Sequence, residues 1–91
     1  MGKRRYPPLK RAQVIAILTE LGFKPVRHGD HECWERLANP LLPIGPTNQR
    51  RLVPVGDYNE FDQTLLKRMI GETGFTREQF YGACKDTAKK I

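Results

Sequence analysis

The two histidines of the chain, His28 and His31, lie in residues 27–35, whose sequence is RHGDHECWE. If a strand begins near Asp30, its side chains alternate between two faces, so Trp34 and His31 point to opposite sides. Trp34 is the natural core residue, which leaves His31 on the side away from the core. An imidazole there titrates near pH 6.5 and can exchange protons with a ligand. His31 is therefore the candidate catalytic residue.

Other chemistry in this stretch is less favoured by the spacing. His28, His31 and Cys33 could bind zinc, but they alternate between faces and no fourth ligand is evident, so we predict no metal site. His28 is assigned to a turn, and Cys33 and Cys84 are interpreted as small apolar residues. Trp34 could stack on a base, but its position in the strand favours the core.

A helix and a hairpin precede residue 37. The helix begins at residues 9–10, carries apolar residues at helical spacing and ends at Gly22, which suits a left-handed cap. A short strand over 23–27 follows, and Pro25 marks it as an edge strand or a strand start. A turn at 28–29 then leads into the central, histidine-bearing strand.

Residues 37–49 contain three prolines and no periodicity, which predicts a long loop. Loops of this length are often functional, although a plain connection is an equal alternative. The apolar residues Leu41, Leu42 and Ile44 are its expected anchors. A third strand over 50–55 contains a proline, which again indicates an edge.

Two helices close the chain. The first runs over 61–73, with Asp57 or Asn59 as the expected N-cap. The second begins at Thr76, where Gln79 lies three residues on as in a capping box. It extends into the mid-80s, and the remaining residues are expected to fray.

The predicted order is helix, three antiparallel strands, helix and short helix. Apolar helix stripes cover one sheet face and leave the other open, so the fold class is a two-layer α+β domain. Residues 1–8 form a basic arm, 9–85 a single domain and 86–91 a frayed tail. His31 is expected on the open face.

The 91 residues carry 16 lysines and arginines against 10 acidic residues, a net charge of +6 that favours polyanions such as nucleic acid. Solubility alone is the other explanation for this charge. Two widely separated cysteines predict reduced thiols. Without a signal-peptide pattern or a long apolar run, we expect a soluble, cytoplasmic protein with no membrane partner.

Three stretches in a fixed order resemble one family. They are LTELGF at 18–23, RHGDHECW at 27–34, and the strand end at 53–54 followed by TLLKRMI at 64–70 and FTREQF at 75–80. Together they resemble the HicA toxins, small mRNA interferases of type II toxin–antitoxin systems whose fold is similar to double-stranded-RNA-binding domains.

The resemblance implies a metal-independent endoribonuclease that cleaves mRNA, needs no cofactor and is neutralised by a HicB-like antitoxin. The family's catalytic histidine corresponds to His31 and its motif glycine to Gly29. Two positions depart from the family pattern. Asp30 replaces the motif serine, and Val55-Gly56 stands where the family often has another histidine.

Cleaving RNA without a metal requires a base for the 2′-hydroxyl, an acid for the leaving 5′-oxygen, and cations that offset the phosphorane's charge. His31 can be either the base or the acid. His28 is nearby in the chain, but its direction is open and the second proton-transfer group is not identified. The expected phosphate-binding cations are Arg27, Arg50, Arg51, Lys67 and Arg68. The alternatives are a non-catalytic RNA- or DNA-binding module on the same fold and a structural or partner-binding protein.

Overall fold

A computed structural model describes residues 5–29, 31–45 and 48–91 of the chain, with His28 and His31 described by their backbone alone. Asp30 lies outside the described residues. The elements follow in the order β1 (Leu9–Lys10), α1 (Arg11–Glu20), β2 (Lys24–His28), β3 (His31–Arg36), β4 (Arg51–Pro54), β5 (Glu60–Phe61), α2 (Gln63–Thr73), α3 (Arg77–Gly82) and α4 (Lys85–Ala88).

The main sheet has three antiparallel strands in the order β2-β3-β4. This confirms the predicted α+β class and the three-stranded antiparallel sheet. Pro25 and Pro54 both lie in edge strands, as expected for residues that cannot donate a backbone hydrogen bond to a neighbour on each side.

One face of the sheet packs on the helices. Trp34 and Val53, directly opposite each other in β3 and β4, belong to the hydrophobic core, so the core position of Trp34 is confirmed. The helices contribute buried residues at helical spacing, and these include Val14, Ile17, Leu18, Leu66, Met69 and Ile70. The opposite sheet face contributes no described residue to this core.

The end of α1 shows why its boundary is readable from sequence. Gly22 has a φ of 92°, and the Phe23 amide donates to the Leu18 carbonyl at 2.9 Å. This pattern is a Schellman motif, which needs a residue that tolerates positive φ. The predicted left-handed cap at Gly22 is confirmed.

A second, two-stranded sheet was not predicted. Leu9 of β1 pairs with Phe61 of β5, and both side chains are buried. The sequence places both residues in helices, but α1 begins at Arg11 and α2 at Gln63. Two paired residues are too short to produce an alternating pattern, so only the long-range contact identifies them.

The N-cap of α2 is Asp62, whose carboxylate accepts a hydrogen bond from the Leu65 amide at 2.9 Å. The predicted caps, Asp57 and Asn59, were therefore wrong, because β5 lies between them and the helix. The start of α3 agrees with the prediction. Thr76 caps it, and the Gln79 side chain completes the capping box.

Both ends of the described chain are held more firmly than predicted. The basic arm was expected to be loose, but the Tyr81 hydroxyl donates to the Pro7 carbonyl at 2.7 Å, and Arg77 donates to the Arg5 carbonyl. The tail was expected to fray from residue 86, but α4 covers part of it. Its Thr87 is buried and donates to the Tyr81 carbonyl at 2.6 Å.

The predicted loop at 37–49 contains no helix or multi-residue strand among its described residues, but its anchor is not apolar. Asn48 is 8% exposed and accepts a hydrogen bond from the Asn39 amide at 2.7 Å. The Asn48 side-chain nitrogen lies 2.9 Å from the Pro43 carbonyl and 3.1 Å from that of Leu42. One buried amide therefore satisfies backbone groups that no strand partner reaches.

The expected apolar anchors of this loop were wrong. Leu41 is 89% exposed, Leu42 is 56% exposed and Ile44 is 74% exposed. The physical reason is that the hydrogen bonds of the Asn48 side chain hold the loop backbone, so the loop does not need apolar side chains in the core.

Candidate functional site

The two histidine positions form the last residue pair of the β2–β3 hairpin. Their backbones are directly opposite each other, and a two-residue connection at 29–30 joins the strands. Gly29 has a φ of 64°, in the left-handed region that two-residue hairpin turns use. The predicted turn at 28–29 is thus displaced by one residue, and His28 belongs to the strand.

This register answers the question that the sequence left open for His28. Directly opposite residues of an antiparallel pair have Cβ atoms about 4.5–5.5 Å apart. The backbone therefore brings positions 28 and 31 together at one end of the sheet. The side chains of His28 and His31, and all of Asp30, lie outside the described residues.

Glu32, the residue after His31, forms an ion pair that holds its side chain in place. Glu32 Oε1 lies 2.7 Å from Arg11 Nη2, and Glu32 Oε2 accepts a hydrogen bond from Trp34 Nε1 at 2.9 Å. Arg11 Nη1 also donates to the carbonyls of Gly56 and Tyr58, at 2.9 and 3.0 Å. Arg11 therefore links α1, β3 and the β4–β5 connection next to the histidine pair.

Sequence reasoning missed this pair. Arg11 and Glu32 are 21 residues apart, so no helical or strand spacing relates them. The one available signal is that Arg11 lies in the first turn of α1, where the helix dipole disfavours a cation. Such a position favours a carboxylate partner from elsewhere in the fold.

The five predicted phosphate-binding cations do not converge on the histidine pair. Arg27 is exposed and pairs with Glu32 in the hairpin register, so it lies at the histidine end of the sheet but on the face opposite to the histidine positions. Arg51 pairs with Arg36, five residues beyond His31 and thus about 17 Å away along the strand. Its neighbour Arg50 forms an ion pair with Glu35.

The other two predicted cations, Lys67 and Arg68, lie on α2. Both are exposed, whereas Leu66, Met69 and Ile70 of the same helix are buried in the core. Because α2 packs on the helix-covered face of the sheet, these cations point into solvent from the outer side of the helix layer. The predicted set therefore occupies three surfaces: the hairpin end, the far end of the sheet and α2.

Among the described side chains, the titratable groups with altered acidity belong to α2, α3 and the residue before α4. Burial raises the pKa of Tyr81 to about 12, so its hydroxyl remains a donor to Pro7. Burial also raises the pKa of the Cys84 thiol, and the charges of Glu20 and Asp86 raise it further. A thiol with a raised pKa is a weak nucleophile at neutral pH. Cys84 therefore has no advantage as a reactive group.

Among the described side chains, which do not include the two imidazoles, no three histidines, cysteines or carboxylates lie close enough together to hold a metal ion. Within the described part of the chain, no helix has the length and apolar character needed to cross a membrane.

Comparisons with known proteins identify no relative. No protein-family model matches the chain, and neither a curated protein nor a solved structure matches it significantly. Function must therefore be argued from the hairpin, the distribution of charge and the motifs in the sequence.

Proposed function

We propose that the chain is a HicA-like endoribonuclease that cleaves mRNA without a metal ion and uses His31 for proton transfer. The observation that carries the proposal is the pairing of His28 and His31 at the end of the β2–β3 hairpin. As part of the same proposal, the protein acts in the cytoplasm and a HicB-like antitoxin neutralises it by covering the histidine-bearing end of the sheet.

The proposed reaction needs two proton-transfer groups. The 2′-oxygen of a ribose attacks the adjacent phosphorus, the bond from phosphorus to the 5′-oxygen breaks, and the products are a 2′,3′-cyclic phosphate and a 5′-hydroxyl. One neutral imidazole accepts the proton of the 2′-hydroxyl, and one imidazolium gives a proton to the leaving 5′-oxygen. His28 and His31 supply this pair. Arg27 belongs to the next residue pair, which faces the other side of the hairpin, so its role is to attract the RNA backbone to this end of the sheet.

The fold and charge are consistent with this proposal. Apart from the two short strands β1 and β5, the order of α1, the three strands of the main sheet and α2 is the one that the HicA resemblance implies. The net charge of +6 supplies the long-range attraction that an RNA ligand requires.

The second candidate is a non-catalytic RNA- or DNA-binding module. It is favoured by the placement of Arg50, Arg51, Lys67 and Arg68 on surfaces away from the histidines, because phosphate contacts spread over a protein bind without assembling a reaction centre. Asp30 in place of the family's serine also favours it, since a carboxylate there repels an incoming phosphate.

The experiment is cleavage of a long single-stranded RNA in EDTA by the wild-type protein, His31→Gln and His28→Gln. General acid–base groups contribute about 100- to 10,000-fold, so we expect the His31→Gln rate to fall by at least 100-fold. If His28 is the second proton-transfer group, the cleavage rate of His28→Gln falls by a similar factor. The pH–rate profile of that variant then lacks one limb of the bell-shaped wild-type profile.

Binding of the same RNA and the circular dichroism spectrum are recorded for each protein, so that a lost fold is not mistaken for lost chemistry. Lys90→Gln, at an exposed position after α4, is the matched control and should cleave at the wild-type rate. Unchanged cleavage by His31→Gln contradicts the proposal. Binding without cleavage by the wild type selects the binding module instead.

A further inference from the structure

A cleft at the far end of the sheet has the character of an anion site. It has a volume of about 170 Å³ and lies between β3, β4 and the start of α3. Its described lining residues are Arg36, Gln49, Arg51, Thr73, Gly74, Phe75 and Gln79. None of them carries a carboxylate. We call this site the Arg36–Arg51 cleft.

The two arginines are brought together by the sheet. Arg36 and Arg51 are directly opposite each other in the β3–β4 register. Like charges directly opposite each other destabilise a sheet. An anion that contacts both guanidinium groups would offset part of this repulsion.

The local backbone makes room for one of these guanidinium groups. At Gly74 a Cβ atom would lie 2.9 Å from the Arg51 guanidinium carbon, and the residue has a φ of 80°. The positive φ favours glycine, and a Cβ here would displace the end of the Arg51 side chain. The glycine cap of α2 therefore leaves room for the Arg51 guanidinium beside the cleft.

Arg36 is held in place while keeping its hydrogen-bond donors. Its guanidinium lies 5.4 Å from the centre of the Phe75 ring, an arrangement that orients it by cation–π attraction. Among the described residues Arg36 forms no ion pair. Phe75 supplies no oxygen or nitrogen acceptor in its side chain, so this ring contact leaves the guanidinium N–H groups available to a ligand.

A third donor group comes from Gln79. Its side-chain oxygen accepts a hydrogen bond from the Thr76 amide at 2.9 Å, in the capping box of α3. The part of the amide left for a ligand is its NH₂ group, which can only donate. The Thr73 hydroxyl group is already engaged, because it donates to the Ile70 carbonyl and accepts from the Phe75 amide.

We propose that the Arg36–Arg51 cleft binds a phosphate group. The lining offers guanidinium and amide donors, and guanidinium geometry matches phosphate oxygens in a bidentate manner. The volume of about 170 Å³ is several times that of a single water molecule, which leaves room for one phosphate group. The source is either free phosphate or the backbone of a nucleic acid.

This site is separate from the proposed reaction centre. Arg36 is the last residue of β3 and His31 the first, so about 17 Å of strand lies between them. Phosphate binding in the cleft does not require RNA cleavage. The inference therefore stands or falls independently of the proposed ribonuclease activity.

The test is a titration followed by NMR of the arginine Nε–H groups, in a buffer without phosphate or sulfate. One arm adds inorganic phosphate, and the other adds an uncleavable 2′-O-methyl oligoribonucleotide of about ten residues. We expect saturable shifts of the Arg36 and Arg51 resonances. Saturation by inorganic phosphate identifies a site for free phosphate, and saturation by the oligonucleotide alone identifies a site for backbone phosphate.

Three variants make the test specific. Charge-assisted hydrogen bonds are worth about 1.5–3 kcal/mol, so Arg36→Gln should weaken binding by about tenfold or more. Arg36→Lys retains the charge but loses the planar guanidinium, so its affinity should lie between those of Arg36→Gln and the wild type. Lys90→Gln removes the same charge from an exposed end of the chain and should bind as the wild type. The proposal is overturned if neither ligand gives saturable shifts, or if Arg36→Gln binds either ligand as well as Lys90→Gln.

Discussion

Side chains, as well as backbone pairing, fix the strand that begins at His31. Both carboxylate oxygens of Glu32 are engaged, one by Arg11 and one by the Trp34 indole. Because Trp34 is buried in the core, this network ties the first turn of α1 and the core to the position next to His31. A proton-transfer residue benefits from such support, since misplacement of a catalytic group lowers its rate.

The partly buried carboxyl group of Glu72 lowers the stability of the folded state when it is charged. Within the described residues, Glu72 Oε1 is the buried side-chain oxygen without a hydrogen-bond partner. Burial raises the pKa of Glu72 above its ordinary value of 4.5, and Arg68, one turn earlier, opposes the rise. Folding therefore shifts the Glu72 equilibrium towards the neutral carboxyl relative to the unfolded chain.

This direction gives a pH-dependent prediction for Glu72→Gln. With the folded pKa above the unfolded one, Glu72 contributes stability that is present below about pH 4.5 and is lost as the pH rises through the folded pKa. The variant should therefore be slightly more stable than the wild type at pH 7, and the difference should shrink below pH 4.5. Urea unfolding at pH 4 and pH 7 measures it.

The matched control for this measurement is Glu60→Gln, because Glu60 is exposed in β5. Its stability relative to the wild type should change little between the two pH values. If Glu72→Gln is less stable than the wild type at pH 7, attraction to Arg68 outweighs burial and the prediction is wrong.

At the scale of elements, the connection at 37–49 shows how a loop without regular structure can keep a fixed shape. Asn48 binds backbone groups on both sides of the loop, while Leu41, Leu42 and Ile44 stay exposed. The apolar side chains therefore contribute little to the fold, and the polar side chain carries the stability of the loop.

We expect Asn48→Ala to destabilise the protein by about 1–3 kcal/mol, since the backbone groups bound by its amide lose their partners. Leu41→Ala is the matched control and should lie within about 0.5 kcal/mol of the wild type, because this leucine is exposed. Urea unfolding gives both values, and limited proteolysis should cut the loop faster in Asn48→Ala alone. Equal stability of the two variants would show that Asn48 is not the anchor.

The sequence predicted those elements whose stabilising contacts join residues close together in the chain. The Gly22 cap and the Thr76 capping box use residues within five positions, so sequence alone located them. The pairing of Leu9 with Phe61 joins residues 52 positions apart, and no local pattern marks it. The same holds for the carbonyl of Pro7, which is held by Tyr81.

The candidate site likewise has features that the sequence predicted and features that only the tertiary structure shows. The proximity of His28 and His31 follows from the sequence, but their direct opposition follows from a hairpin register that shifts with one turn residue. The contacts of Arg11 and the spread of the other cations depend on tertiary packing. Charge composition therefore predicted a polyanion ligand without predicting where its phosphates lie.

For the whole molecule, the net charge of +6 is divided among surfaces that a single RNA strand need not contact together. Arg27 lies at the hairpin end, whereas Lys67 projects from the outer side of α2. RNA that is cleaved at the histidines lies at the hairpin end, where Arg27 is one residue from His28 in the same strand. A strand held on α2 leaves Arg27 uninvolved.

The salt dependence of RNA binding distinguishes these two paths. For a single strand, the slope of the logarithm of affinity against the logarithm of salt concentration changes by about 0.7 for each phosphate contact. We expect Arg27→Gln to reduce the steepness by about that amount, and Lys67→Gln, which removes the same charge, to leave it unchanged. Fluorescence anisotropy of an uncleavable RNA between about 50 and 200 mM salt measures both slopes. A reduced slope for Lys67→Gln alone would place the RNA on α2, away from His31, and would leave the protein as a binding module.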